Sequence, residues 1–389
     1  MDVPFIDALA AYATPPNNHI GTTLFLSYIV LALYATFTIT YSLYAQYNII
    51  YHSASPSKDA AITAAKIARA RHIKIYAFLA SVSFATLSYH MLFFLITHYQ
   101  RWSGESSLAT ISGDKLVRWM LHASLFKDFA NELVENASNA TWTQLAILAT
   151  WSWNVWMARK ARIRNFDAAT MRNFILLSQI LPISFTAALF LIQCHLASPD
   201  LQTTSPKEEA KPQRKTPMAT LHLPNMLLNA SLLALPSLRA HPIFSGLVLF
   251  ERLILLLPHT GLLKLRASDM DKCLIASAGF IVAGQWQARK AGMKIGSEFK
   301  ALSHGGYAVK ALGWDAVLGA AVWASSHVLG TNFTPTPFIP VANHPLTSIF
   351  PVTSKSNSSI TLLTAFTTKN LPRFCPGQLL LCPPKPIQY

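Results

Sequence analysis

Charge is scarce in this chain. Of 389 residues only 13% are Asp, Glu, Lys or Arg, against 52% hydrophobic, and the mean hydropathy is +0.32. A soluble domain carries roughly a quarter of its residues as charged side chains, so a cytosolic globular enzyme is disfavoured from the outset. Acids are scarcer than bases, at 17 against 32, which leaves a formal charge of +15. Cysteine is also rare: Cys194, Cys273, Cys375 and Cys382 form no C-x-x-C pair and have no histidine at zinc spacing, which excludes a disulfide framework and a zinc motif. The signature motifs of phosphate-loop proteins, dinucleotide folds, zincins and serine hydrolases are missing. No aspartate-rich run is present to hold magnesium against a diphosphate, Asp269 and Asp271 being a lone pair at a span end. The chemistry expected is therefore free of metals, cofactors and diphosphate.

What the chain does have is long apolar blocks separated by short basic loops, the pattern of an all-α, polytopic membrane bundle. Seven blocks stand out: Gly21 to Ala45, Tyr76 to His98, Trp142 to Ala158, Asn173 to His195, Phe244 to Leu263, Cys273 to Ala288 and Ala311 to Leu329. An eighth, Ala219 to Leu238, is interrupted by Pro224, Asn225, Asn229 and Pro236. Loop charge selects the count. Lys58 to Lys74 and Arg159 to Arg172 are basic loops that belong on the cytoplasmic side, and the basic loop Arg289 to Lys310 joins them only if eight segments span. The N-terminal segment, residues 1–20, is then lumenal and uncleaved, with the first span a retained anchor in an endomembrane such as the endoplasmic reticulum. The basic residues suit a lipid leaflet better than nucleic acid, which is not expected as a partner. Asn136 and Asn139, both in N-x-S/T sequons, fall in the lumenal loop and are candidate glycosylation sites. Within the bundle of residues 21–330, a polar loop at 198–216 divides two halves. Residues 331–389, without Asp or Glu and rich in Pro, Ser and Thr, read either as a disordered lumenal tail or as a misread exon.

Polar groups inside apolar blocks are functional candidates because each is costly unless it finds a partner, cavity or water. Glu251 and His259 share a block and lie within about 80 degrees on a helix face; they form an acid/base pair or, alternatively, Glu251 pairs with Arg252 near a helix end. Asp315 stands at the start of the last block as a candidate acid or as a cap of that helix. Gln179 sits beside Ser178 and Pro182, placed either to satisfy backbone freed by the proline or to contact substrate. Lys115 to Val134 reads as a lumenal helix, apolar almost all round, that lies in the interface or dips into the bundle, and in it Asp128 and Glu132 share a face. Mutual repulsion there would keep one of the two protonated; the alternative is a solvated face with Lys127 as counter-ion. Trp142, Trp153 and Trp156 fall within about 60 degrees of one stripe, with Trp151 opposite. They are either an interface belt or a wall that stabilises a cation.

Several of these segments carry a family resemblance. Trp119-Met-Leu-His-Ala-Ser-Leu-Phe-Lys-Asp128-Phe, Trp142-Thr-Gln-Leu, Trp151-Ser-Trp153 and Leu176-Leu-Ser-Gln-Ile-Leu-Pro-Ile-Ser-Phe resemble the fungal membrane-bound terpene cyclases of the ascofuranone and ascochlorin type. Glu251-Arg-Leu-Ile-Leu-Leu-Leu-Pro-His259 and Gly313-Trp-Asp315 fit the same pattern, so the similarity covers about Gly21 to Gly330; the long tail departs from it. The resemblance implies a cyclase of fungal meroterpenoid biosynthesis. Its substrate would be a farnesyl chain on an aromatic polyketide, cyclised after protonation of a terminal epoxide or an olefin, without metal. Asp128, Glu251 and Asp315 are then the candidate acids, Glu132 and His259 their proton partners, and Trp142, Trp153, Trp156 and Gln179 the substrate contacts. The competing readings are an exporter of a hydrophobic metabolite and a non-catalytic membrane protein. Neither ring product nor oligomeric state is written in the sequence.

Overall fold

The computed structural model describes residues 15–53, 60–105, 112–197, 219–290, 292–294 and 296–328. The chain divides into two units, Met1–Phe333 and Thr334–Tyr389. The second unit, the expected polar loop 198–216 and most of the N-terminal segment lie outside the described residues.

The described residues form an all-helical protein of twelve α-helices, with a single isolated β-bridge between Ala219 and Leu263. The helices are α1 (His19–Asn48), α2 (Ala60–Ser103), α3 (Gly113–His122), α4 (Leu125–Leu133), α5 (Ala137–Ile163), α6 (Ala168–Ile180), α7 (Ile183–Leu196), α8 (His222–Ala234), α9 (Phe244–Leu256), α10 (Ala267–Lys290), α11 (Ser297–His304) and α12 (Tyr307–Val328). Two stretches, His19–His52 and Thr63–Ser103, are long and apolar enough to cross a membrane.

Local chemistry sets the boundaries. Asn18 caps α1 by accepting from Gly21 N at 2.9 Å, and its own amide donates to Ala123 O at 2.8 Å, which ties the start of α1 to the turn between α3 and α4. Asn136 and Asp167 cap α5 and α6 in the same manner, accepting from Asn139 N and Thr170 N. The Thr170 contacts hold the Asp167 carboxyl below the ordinary range. α5 ends with Asn165 at φ 51°, a left-handed position that asparagine tolerates, while Phe166 N returns to Ala161 O at 3.0 Å.

Three expected segments differ from what forms. Phe244 to Leu263 is not one helix. Pro258 has no N–H for the ladder, so α9 stops at Leu256 and a single 3₁₀ turn, Leu257–His259, follows. Asn173 to His195 is broken at Leu181 and Pro182 into α6 and α7. Lys115 to Val134 is two short helices, α3 and α4, each burying one stripe through Trp119, Leu125 and Leu133; it is not apolar all round. Pro224 lies in the first turn of α8, where its missing N–H is not needed, and Pro236 lies past its end, so neither interrupts it; its asparagines are interhelical glue. Asn229 Nδ2 donates to Ser277 Oγ at 3.0 Å, and Asn225 Nδ2 to Cys273 O at 3.3 Å.

Two apolar cores flank α5, of whose 27 residues 15 are buried. One core joins α1, α2, α6 and α7 to Trp153 and Met157; the other joins α8, α9, α11 and the start of α12 to Trp142, Ile147 and Trp151. α7 is buried along its whole length, as a helix apolar on every side must be.

Candidate functional site

The break between α6 and α7 frees backbone groups that must find partners. Asp315 supplies them from the third turn of α12: its carboxylate accepts from Ile183 N at 3.0 Å, Ser184 N at 2.9 Å and Ser184 Oγ at 2.6 Å. On the other side of the break, the Tyr28 hydroxyl donates to Ile180 O. Asp315 is thus a helix cap, but of α7, 131 residues away in sequence, and not of its own helix. With both oxygens engaged by three donors it is fixed as an acceptor, a poor arrangement for giving up a proton. Gln179 does not take the freed backbone groups. Its Nε2 is buried without a hydrogen-bond partner.

Glu132 plays the corresponding part for α12. Its Oε1 accepts from Ala308 N at 2.8 Å, and the contact needs Gly306, where a Cβ would stand 1.8 Å from that same oxygen. Burial is the main reason its carboxyl lies above the ordinary glutamate range, while the Ala308 N–H, Arg101 and His98 pull it down. The like charge that adds to the rise is Glu135; Asp128 is not among the causes. A glutamate raised on folding makes the native state hold its proton to higher pH than the unfolded chain does. Its contribution to stability is full below the unfolded value and is lost as pH rises through the folded one. Thermal midpoints measured from pH 4 upward are expected to fall less steeply in Glu132→Gln than in wild type; an unchanged slope would contradict this.

Asp128 has a different partner from the one expected. His98 Nε2 lies 3.2 Å from Asp128 Oδ2, and Trp119 Nε1 donates to His98 Nδ1 at 3.0 Å. An indole N–H only donates, so Nδ1 must be the acceptor and the imidazole proton sits on Nε2, directed at Asp128. The result is a three-residue relay assembled from α2, α3 and α4 in which Asp128, on the exposed side, accepts. Neither His98 nor Trp119 has a local signature that joins it to Asp128; they meet only when α3 folds back on α2.

Glu251 has the Ser231 hydroxyl as its polar neighbour. It is 4% exposed, on α9, and its Oε1 has no hydrogen-bond partner. Among the described residues no ion pair joins it to Arg252. It does not pair with His259 either, since the helix has ended before His259 is reached. His259 Nε2 instead lies 3.1 Å from Oδ1 of Asn154, a fully buried residue.

The tryptophans divide between the two cores. Trp153 packs edge-on to Trp156 and Trp323, with ring centroids at 5.3 and 5.5 Å, and Trp156 meets Phe190 at 5.8 Å. Trp142, although on the same helical stripe, lies in the other core with Trp151 and donates to Glu298 O at 2.8 Å. The aromatic wall is therefore Trp153, Trp156 and Trp323; Trp142 is an anchor for α11. Asn139 is 2% exposed and its amide donates to Glu132 O at 3.0 Å, which leaves no room for a glycan. Asn136 is exposed and remains the candidate acceptor.

A cavity of about 320 Å³ opens where the end of α5, the start of α6 and the 3₁₀ turn meet. Arg162 fixes its rim, donating to Leu263 O at 2.9 Å and Pro258 O at 3.2 Å. No protein-family model, curated protein or solved structure matches this chain.

Proposed function

We propose that the chain is an integral-membrane terpene cyclase of fungal meroterpenoid biosynthesis: it protonates a terminal epoxide or olefin of a farnesyl chain carried by an aromatic polyketide, the chain closes on the carbocation so formed, and the last cation loses a proton, so that the product is an isomer of the substrate. Glu251 carries the reading. A charge at a site this buried is costly, and a carboxyl group with one oxygen unengaged can turn its acid form toward a substrate. Of the other candidate acids, Asp315 and Glu132 are held by helix N-termini and Asp128 by His98. The Trp153, Trp156 and Trp323 cluster offers ring faces of the kind that stabilise a developing carbocation.

The membrane assignment rests on more than the two long apolar helices. Large apolar side chains face outward on several elements: Phe37 is 71% exposed, Phe78 67%, Leu249 65% and Ile275 72%. A shell of this kind suits lipid and not water. We place eight crossings, with a lumenal N-terminus and the basic loops in the cytoplasm. α8 and α9, at 13 residues each, reach only about 20 Å and would be short crossings over a locally thinned bilayer.

Export of a hydrophobic metabolite is the second reading, favoured by the discontinuous α6–α7 helix, a device of transporters. In those proteins the half-helix N-terminus meets substrate, whereas here Asp315 already occupies it. The discriminating experiment supplies a farnesylated aryl epoxide to membranes containing the full chain, with chelator present. An isomer of unchanged mass and shifted retention supports the cyclase. Substrate carried into vesicles unchanged supports the exporter.

A further inference from the structure

The cavity beside the 3₁₀ turn is separate from Glu251 and the tryptophan cluster, and none of its polar groups has a part in the proton step. Its apolar walls include Ala158, Ala161, Phe166 and Met171, and its polar lining is Arg162, Asn165 and His259. His259 spends Nε2 on Asn154, whose Nδ2 is left buried without a partner. Two arrangements follow, because amide oxygen and nitrogen exchange places by a half-turn. In one, His259 donates from Nε2 to Asn154 Oδ1, and Nδ1 is an acceptor. With the amide turned over, Asn154 donates and Nδ1 carries the proton. A hydroxyl group is both donor and acceptor, so it satisfies Nδ1 in either state.

The surroundings narrow the ligand further. Arg159, Lys160, Arg162 and Arg164 cluster at this end of α5, and the nearest carboxylate in sequence, Asp167, is engaged as the cap of α6. A cationic setting favours a hydroxyl with acidic character. The volume, at the lower bound of the roughly 300–1,000 Å³ usual for ligand sites, takes one or two rings and not a long chain. Phe166 and Met171 are apt neighbours for an aromatic ring.

We infer that this cavity binds a small phenol, ring against Phe166 and Met171, hydroxyl toward His259. The assignment deepens the cyclase reading by giving the aromatic end of the substrate a seat, and rests on that reading only for the substrate's identity. The ring would then be held at the cytoplasmic end of α5, on the basic-loop side of the bundle.

The test uses fluorine NMR line broadening of 4-fluorophenol and 4-fluoroanisole with the full chain in detergent, against empty micelles. Wild type is expected to bind the phenol about tenfold more tightly than the ether, since a site built for a hydroxyl leaves polar groups unpaired with an analogue that lacks it. In His259→Phe the ratio should fall close to one. Ala161→Leu, which fills the cavity, should lose both probes while keeping the helical circular dichroism and thermal midpoint of wild type. Equal binding of the two probes to wild type, or phenol binding that survives Ala161→Leu, would overturn the assignment. Neither probe has a prenyl chain, so loss of binding and loss of cyclisation are separate results.

Discussion

Glu251→Gln is expected to lower product formation by about 100-fold or more, the usual contribution of a positioned general acid, with the protein still folded and inserted. Glutamine preserves shape and keeps an acceptor and a donor in the same place, but it has no proton to deliver to an epoxide or alkene. The oxygen that now lacks a partner becomes an amide group, so little stability should change. Mass spectrometry of the product, read against detergent-solubilised protein yield, separates the two effects. A variant that retains more than a tenth of wild-type turnover would remove Glu251 as the proton source. His98 and Asp128 would then be the next pair to vary, since the imidazole Nε2 lies 3.2 Å from the carboxylate.

Asp315→Ala is expected to have the largest effect on stability. The change removes three accepted hydrogen bonds at once and leaves Ile183 N and Ser184 N facing the space vacated inside the bundle. An unsatisfied buried donor costs about 1–3 kcal/mol, and the lost charge at a helix N-terminus adds about 0.3–1 kcal/mol. Two such donors and the charge together give a destabilisation of about 2–7 kcal/mol, read as a drop in the thermal midpoint of the solubilised protein. Asp315→Asn should fall between, because its oxygen still accepts while its amide nitrogen confronts an N–H. If Asp315→Asn matched wild type in stability and yet lost all turnover, Asp315 and not Glu251 would be the catalytic acid.

The sequence marks the break in the fourth apolar block plainly, through Pro182, yet gives no sign that Asp315 closes it. A cap contributed from 131 residues away has no local pattern, and Gln179, close by in sequence, is the natural but incorrect choice. Pro258 likewise announces a disturbance in the block that holds Glu251. Helical phase places His259 near the acid only if the helix continues to that residue, and α9 stops at Leu256. The tryptophan stripe shows the limit of periodicity in another way. Angular position on α5 predicts that Trp142, Trp153 and Trp156 share a face, but 11 residues of rise carry Trp142 into a different core, where it meets Trp151. The asparagines of Ala219 to Leu238, which look like interruptions in hydropathy, donate from their amide groups to Ser277 and Cys273 on α10. Apolar blocks, prolines and candidate acids could thus be read in advance. Which acid caps which helix, and that His98 lies between Trp119 and Asp128, follows only from tertiary contacts.

The central claim is proton-initiated ring closure, and the most direct test runs the metal-chelated membrane reaction in deuterium oxide with matched farnesylated aryl epoxide and alkene substrates. The account predicts a new isomer from at least one of them. An epoxide-derived product returns to the substrate mass after washing in ordinary water, since the label sits on a hydroxyl. An alkene-derived product keeps a single deuterium on carbon. Folded, membrane-inserted protein that leaves both substrates unchanged would contradict the account.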